Sequence, residues 1–213
     1  MLRLLTGLAF GCIAVLALAP MTRAGVDVGL SVDEDGVRSF YLAIGEHYRV
    51  PEREVVVVRE RNVPDEELPV VFFLARHASV EPAAIVKLRL QGLSWMDITL
   101  RFSLSPAIFF VDFDRDPGPP YGKAWGHFRN REKARWGEVR LPDVDIVNIV
   151  NLKFVSEKYG YSPAEVVKMR ARGDRFVAIH KEAKASKGKS AKASKPVAAS
   201  DDAKPKATGK KHK

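Results

Sequence analysis

The side chains best equipped for binding chemistry lie between Pro117 and Gly137. Lys123, Arg129, Arg131, Lys133 and Arg135 stand there against one acid, Glu132, a local charge of +4. Tyr121, Trp125, Phe128 and Trp136 are interleaved with them, and His127 sits in their midst. Aromatic faces stack on sugars or bases, and guanidinium groups pair bidentately with phosphate or carboxylate. Tyr121, Lys123, Trp125, His127, Phe128, Arg129, Arg131 and Trp136 are therefore the candidate ligand-binding residues. The ligand would be an anionic glycan, a lipid headgroup or a single nucleic-acid strand. The competing account is that the aromatics pin a long loop to the body.

Other chemistry finds little support. Asp112, Asp114 and Asp116 alternate as in a calcium loop, but an EF-hand needs Gly where Pro117 stands and Glu where Lys123 stands. A solvated turn whose acids face the neighbouring arginines is the simpler expectation. His47, His77, His127 and His180 follow no paired-ligand spacing and are expected on helix surfaces or in loops. Ser94 and Ser105 precede helices and are expected to cap them. No catalytic constellation, cofactor or metal site emerges. The expectation is a non-enzymatic binding or scaffold protein. The alternative is a ligand-binding protein or enzyme whose site is residues 117–137.

Compartment and charge narrow the partners. Arg3 followed by the apolar run LLTGLAFGCIAVLALAP and ending at Thr22-Arg23-Ala24 has the form of a signal peptide, residues 1–24, which predicts a periplasmic or secreted protein. An uncleaved anchor is the rival. Cys12 is the only cysteine, so the mature chain is expected to have no disulfide and must rely on its core. The net charge is +9, yet residues 25–180 carry 22 basic and 23 acidic side chains. The excess belongs to residues 181–213, where eleven lysines face three acids. That tail has one large aliphatic, Val197, and is expected to be a disordered polycation. It suits anionic surfaces, lipopolysaccharide or phospholipid, through salt-sensitive contacts. Non-specific binding of extracellular nucleic acid is a weaker alternative.

The elements that position these residues are read as helices. Val26, Val28, Leu30 and Val32 alternate weakly like a strand, and then SFYLAIGEHYR, PEREVVVVRER and DEELPVVFFLARHA read as successive helices. Pro69 implies a kink or a late start in the third. Residues 73–98 align with 154–179 without a gap. Phe73, Pro82, Ala83, Val86, Lys87, Arg89, Gly92 and Ile98 recur as Phe154, Pro163, Ala164, Val167, Lys168, Arg170, Gly173 and Ile179. Pro at the first helical position and Gly past the end bound each short helix. The body, 25–180, is therefore expected to be all-α, built from tandem short-helix repeats. Residues 113–143, dense in Gly and Pro, are expected as a long irregular insertion. Asp143 is the expected N-cap of the helix that follows, and Arg89 and Arg170 are expected to bond carbonyls of their own last turns.

GLSWMDITLRFSLSP resembles a DNA-reading helix-turn-helix. Its second helix, PAIFFVD, has no basic residue and offers Phe109 and Phe110 where base-reading side chains belong. Sequence-specific DNA recognition is not expected. With its GPPYGKA segment between helical stretches, the chain also resembles uncharacterised secreted proteins of Gram-negative bacteria. That resemblance implies an envelope location and a helical body, and brings no activity. A partner protein of unknown identity is expected for the body.

Overall fold

The computed structural model describes residues 34–193. The leader, the alternating segment 26–32 and the tail beyond 193 lie outside the described residues. The order is α1 Glu34–Tyr48, α2 Glu52–Glu60, a 3-10 turn Asp65–Glu67, α3 Leu68–Ala78, α4 Pro82–Leu90, α5 Trp95–Arg101 and a 3-10 turn Pro106–Phe109. Then come α6 Gly122–Arg129, a 3-10 turn Lys133–Glu138, α7 Asp143–Tyr159, α8 Pro163–Ala171 and α9 Phe176–Ala193. The protein is all-α, with no strand among the described residues.

The centre is α3 packed on α7. Every residue of α3 from Leu68 to Ala75 is buried, and α7 buries Ile146, Ile149, Val150, Leu152, Phe154 and Val155. Helices apolar on nearly every side belong in a core, where each fully buried large side chain contributes about 1.5–3 kcal/mol. Around them, α1 packs on α2 and α9, α4 on α3, and α8 on α7. Gly45 lets the α1–α2 corner close: a Cβ there would stand 2.9 Å from the Val50 carbonyl, whose own N–H donates to the Gly45 carbonyl.

Pro69 causes no kink. It lies in the first turn of α3, where no intrahelical N–H is needed, and the acidic 3-10 turn precedes it. Two expected boundaries move. Residues 113–143 are not irregular throughout, because they form α6 and the Lys133–Glu138 turn. Tyr121, Ala124 and Phe128 of this stretch enter the core, and that burial orders it. The basic tail does not begin at 181 either. Helix α9 runs on to Ala193, with Ala183 fully buried and Lys184 Nζ donating to Ser39 Oγ at 2.7 Å.

The segments aligned in the sequence match in local geometry at the same offset. Pro82 and Pro163 open α4 and α8, and Gly92 and Gly173 follow them at φ +89° and +87°. Each arginine stacks on the first residue of the next helix: Arg89 lies 4.5 Å from the Trp95 ring centroid, Arg170 4.9 Å from that of Phe176. Arg89 donates to the Leu93 carbonyl and Arg170 to that of Asp174. Those carbonyls lie beyond the helix ends, not in the last turns as expected. The arginine thus bridges the turn between two helices. Asp143 corrects another expectation: Pro142 holds the cap position, and the Asp143 carboxylate accepts from Trp95 N–H at 2.8 Å and from Arg89 at 2.5 Å.

The would-be DNA reader is a single 3-10 turn, with Phe109 fully buried. Ser103 adopts φ +57° in the turn before it. Ser94 and Ser105 do cap, accepting from the N–H groups of Asp97 and Ala107.

Candidate functional site

Residues 110–114 form no regular element: Phe110, Val111 and Phe113 pack against the core while Asp112 and Asp114 are exposed. A tight turn follows, in which Gly118 N–H donates to Asp116 Oδ1 at 2.8 Å. Gly122 opens α6 directly against that carboxylate, where an added Cβ would come within 2.8 Å of Asp116 Oδ1. Helix α6 then buries Ala124 and Phe128 and leaves Lys123, His127 and Arg129 on its outer side. The 3-10 turn Lys133–Glu138 folds back over it. There Trp136 Nε1 donates to the carbonyls of Phe128 at 3.1 Å and Arg131 at 3.3 Å. Its ring lies 4.4 Å from Phe110 and 5.4 Å from Phe128, so this indole is fixed from three sides.

Between these segments opens a cleft of about 610 Å³. Phe110, Phe113, Phe128, Trp125 and Trp136 supply apolar lining, and Asp112, Asp114, Arg129, Arg131, Glu132 and Lys133 supply charge. The volume lies within the range of small-molecule sites, roughly 300–1,000 Å³. Trp125 is half-buried; its backbone N–H donates to the Tyr121 carbonyl at 2.9 Å, and its indole has neither a ring partner nor a hydrogen bond among the described residues. The six charged side chains are exposed, and none joins an ion pair within 4.0 Å among the described residues. Arg131 donates to the His127 carbonyl, and Lys133 Nζ stands 5.9 Å from the Trp136 ring.

Of the eight candidate residues, Trp125, Phe128, Arg129, Arg131 and Trp136 line this cleft and three do not. Tyr121 is 1% exposed and serves as a core anchor, so for this residue the pinning account holds. Phe128, also 1% exposed, belongs mainly to the core and offers the cleft only its floor. Lys123 and His127 are exposed on another side of α6, toward Asp145 of α7. Burial raises the Asp145 carboxyl above its ordinary pKa, and the charges of His127 and Lys123 partly oppose this. The acids at 112 and 114 do not pair with the neighbouring arginines as expected. Asp116, also exposed, instead accepts from the Gly118 N–H of its own turn. No group of three or more His, Cys, Asp or Glu among the described residues is placed to hold a metal ion.

His180 is the largest departure from expectation. It is fully buried rather than on a surface, with Tyr159 Oη 2.6 Å from Nδ1 and Ser39 Oγ 3.1 Å from Nε2. Burial, with the Lys184 and Lys158 charges, pushes its pKa down to about 4. Carrying the 81-residue offset one step past Ile98 pairs His180 with Thr99, which the structure buries equally. In the sequence Asp112 and Asp114 stand out only as alternating acids of a turn, with nothing to place them at the aromatic and basic strip.

No helix among the described residues is long and apolar enough to cross a membrane. The chain matches no family model, no curated protein and no solved structure.

Proposed function

We propose that this is a non-enzymatic, exported binding protein of the bacterial envelope. In this reading the cleft beside α6 holds a small ligand, and the lysine-rich C-terminal segment attaches the protein to anionic surfaces. The observation that carries it is the cleft itself: two indoles at an open hollow of about 610 Å³, ringed by charged side chains that join no ion pair within 4.0 Å among the described residues. Exposed charges normally face water, but aromatic side chains lining an open hollow leave apolar area that a ligand would cover. The leader-like first 24 residues support export, and the eleven lysines after residue 180 support the attachment.

The two parts are tested separately on the full chain. Trp125→Ala is expected to abolish ligand-induced changes in tryptophan fluorescence while circular dichroism stays unchanged. Unaltered ligand response in that variant would remove the cleft from the proposal. For the tail, Lys195, Lys204, Lys206, Lys210, Lys211 and Lys213 are changed together to Gln, which leaves the packed part of α9 intact. Binding to vesicles rich in anionic phospholipid or to lipopolysaccharide is expected to fall steeply with added salt in the natural chain, each lysine contributing about 1 kcal/mol. The six-fold variant is expected to lose that binding, and a flat salt response would remove the attachment role. A protein ligand for the body remains part of the proposal only if it protects Trp125 or Arg129 on binding.

A further inference from the structure

We infer that the cleft takes a dipolar ligand, one carrying an ammonium group and an acid group, carboxylate or phosphate, on a short flat or apolar body. The inference rests on the cleft being a binding site. Its ground is that the charges are sorted by chain segment. Of charged groups, the segment 110–114 contributes only acids, Asp112 and Asp114. The end of α6 and the turn after it contribute Arg129, Arg131 and Lys133, with Glu132 among them. Three bases and three acids therefore share one hollow, and no ion pair within 4.0 Å joins the two sets among the described residues.

The +4 strip in the sequence suggested an anionic ligand, and the fold changes that expectation by bringing Asp112 and Asp114 to the same hollow. A bare anion attracted to Arg129 is also repelled by the acids lining the same hollow, and at similar range the two effects have similar size in the same medium. A nucleic-acid strand or a polyphosphorylated glycan suffers this repeatedly. A ligand with both charges meets attraction at both ends. Arginine favours a planar or tetrahedral oxyanion through paired N–H groups, while a carboxylate suits an ammonium as a point charge. In the same lining Trp136 is held by its two hydrogen bonds, so it offers a fixed wall without losing conformational entropy on binding. The half-buried Trp125 supplies a second aromatic surface.

The test uses the full chain, with calorimetry and tryptophan fluorescence. The probes are alanyl-alanine with free ends, its N-acetyl and C-amide forms, phosphoethanolamine, N-acetyl-phosphoethanolamine and inorganic phosphate. At least one free dipolar probe is expected to saturate the protein, with each capped form at least about tenfold weaker. Whether the dipeptide or phosphoethanolamine prevails identifies the acid group as carboxylate or phosphate. Asp112→Asn with Asp114→Asn is expected to erase the preference for the free amine, and Arg129→Gln with Lys133→Gln to erase that for the free acid. Both pairs are exposed, so folding is preserved. Equal binding of capped and free probes, equally tight binding of phosphate alone, or no saturation by any dipolar probe up to about 10 mM overturns the inference. Binding of phosphate alone that is lost in Trp125→Ala would leave the cleft a binding site while refuting the dipolar ligand. Binding that survives both Trp125→Ala and Arg129→Gln would refute the cleft as well.

Discussion

Arg89 and Arg170 hold the same place in two helical segments and are partnered differently. Each closes a turn between helices and stacks on the aromatic residue that opens the next one. Arg89 forks onto Glu67 through Nε at 3.2 Å and Nη2 at 3.1 Å, and also reaches Asp143. Arg170 meets the neutral amide of Asn148, at 3.3 Å. Glu67 and Asn148 are themselves 81 positions apart, so the correspondence extends six residues upstream of Phe73. One framework is thus held by an ionic network in its first copy and by an arginine on neutral acceptors in its second. The next helix start is secured from the other segment each time: Trp95 N–H donates to Asp143 at the start of α7, and Phe176 N–H to Glu66 just before α3. The two segments interlock through reciprocal contacts of this kind.

Breaking each arginine gives the largest effect. Arg89→Ala strands Glu67 and Asp143, whose side chains are 19% and 34% exposed, and is expected to lower stability by about 3 kcal/mol in urea unfolding. Arg170→Ala loses only neutral partners and a cation–π contact, and is expected to cost about 1–2 kcal/mol. Glu67→Gln converts the first segment to the chemistry of the second, and about 1 kcal/mol is the expected loss. Equal losses for the two alanine variants would show that the ionic partners of Arg89 contribute nothing beyond hydrogen bonding.

The next difference sits one helix turn further on, at Thr99 and His180. Both are fully buried polar residues in equivalent positions. Thr99 satisfies itself locally, its Oγ1 donating to the Trp95 carbonyl at 2.7 Å. His180 relies on Tyr159 of α7 and Ser39 of α1, with Lys184, Lys158 and Glu46 supplying the nearby charges. Its folded pKa of about 4 lies below the ordinary 6.5, so the unfolded chain binds the extra proton between these values. The stability it contributes is full above about pH 6.5 and is lost as pH falls toward 4. The natural protein is expected to lose roughly 2 kcal/mol more than His180→Gln between about pH 7 and pH 5. Parallel pH profiles for the two proteins would place the proton elsewhere.

This comparison also marks what could be read without coordinates. Helix class, the Pro82 and Pro163 starts and the Gly92 and Gly173 stops follow from local rules, because each depends on backbone geometry within one turn. The partners of Arg89 could not be read, since Glu67 and Asp143 lie 22 and 54 residues away and no local pattern ties them to it. The cleft was half legible. Trp125, Arg129, Arg131 and Trp136 announced themselves by type, whereas the acids opposite them are brought in by the fold of a separate segment. Tyr121 was misread because an aromatic ring that binds a ligand and one that anchors a core look alike in sequence.

A smaller asymmetry separates Ala75 from its counterpart Ser156. The Ser156 hydroxyl is buried in α7 without a hydrogen-bond partner among the described residues. A buried donor left unmatched costs free energy, and Ala also has the higher helix propensity. Ser156→Ala is therefore expected to raise stability by about 1 kcal/mol, and Ala75→Ser to lower it by a similar amount. If Ser156→Ala destabilises, the hydroxyl has a function that repays its burial, and ligand binding by that variant becomes the measurement of interest.

The smallest expected effect concerns the residues that stop α3 and α7. Both take the left-handed conformation, Ser79 at φ +54° and Gly160 at φ +70°, and again they are 81 residues apart. A side chain is strained in that region and glycine is not. Against this, glycine loosens the unfolded chain and so gives back part of the gain. Ser79→Gly is expected to stabilise the protein by about 0.5 kcal/mol, and Gly160→Ser to destabilise it by about the same amount, as midpoint shifts in urea at unchanged slope. Opposite signs of equal size would mean that the two helix ends are energetically interchangeable. A clearly larger loss at Gly160 would mean that the α7–α8 corner tolerates less backbone adjustment than the α3–α4 corner, consistent with α7 packing against more elements than α3 among the described residues.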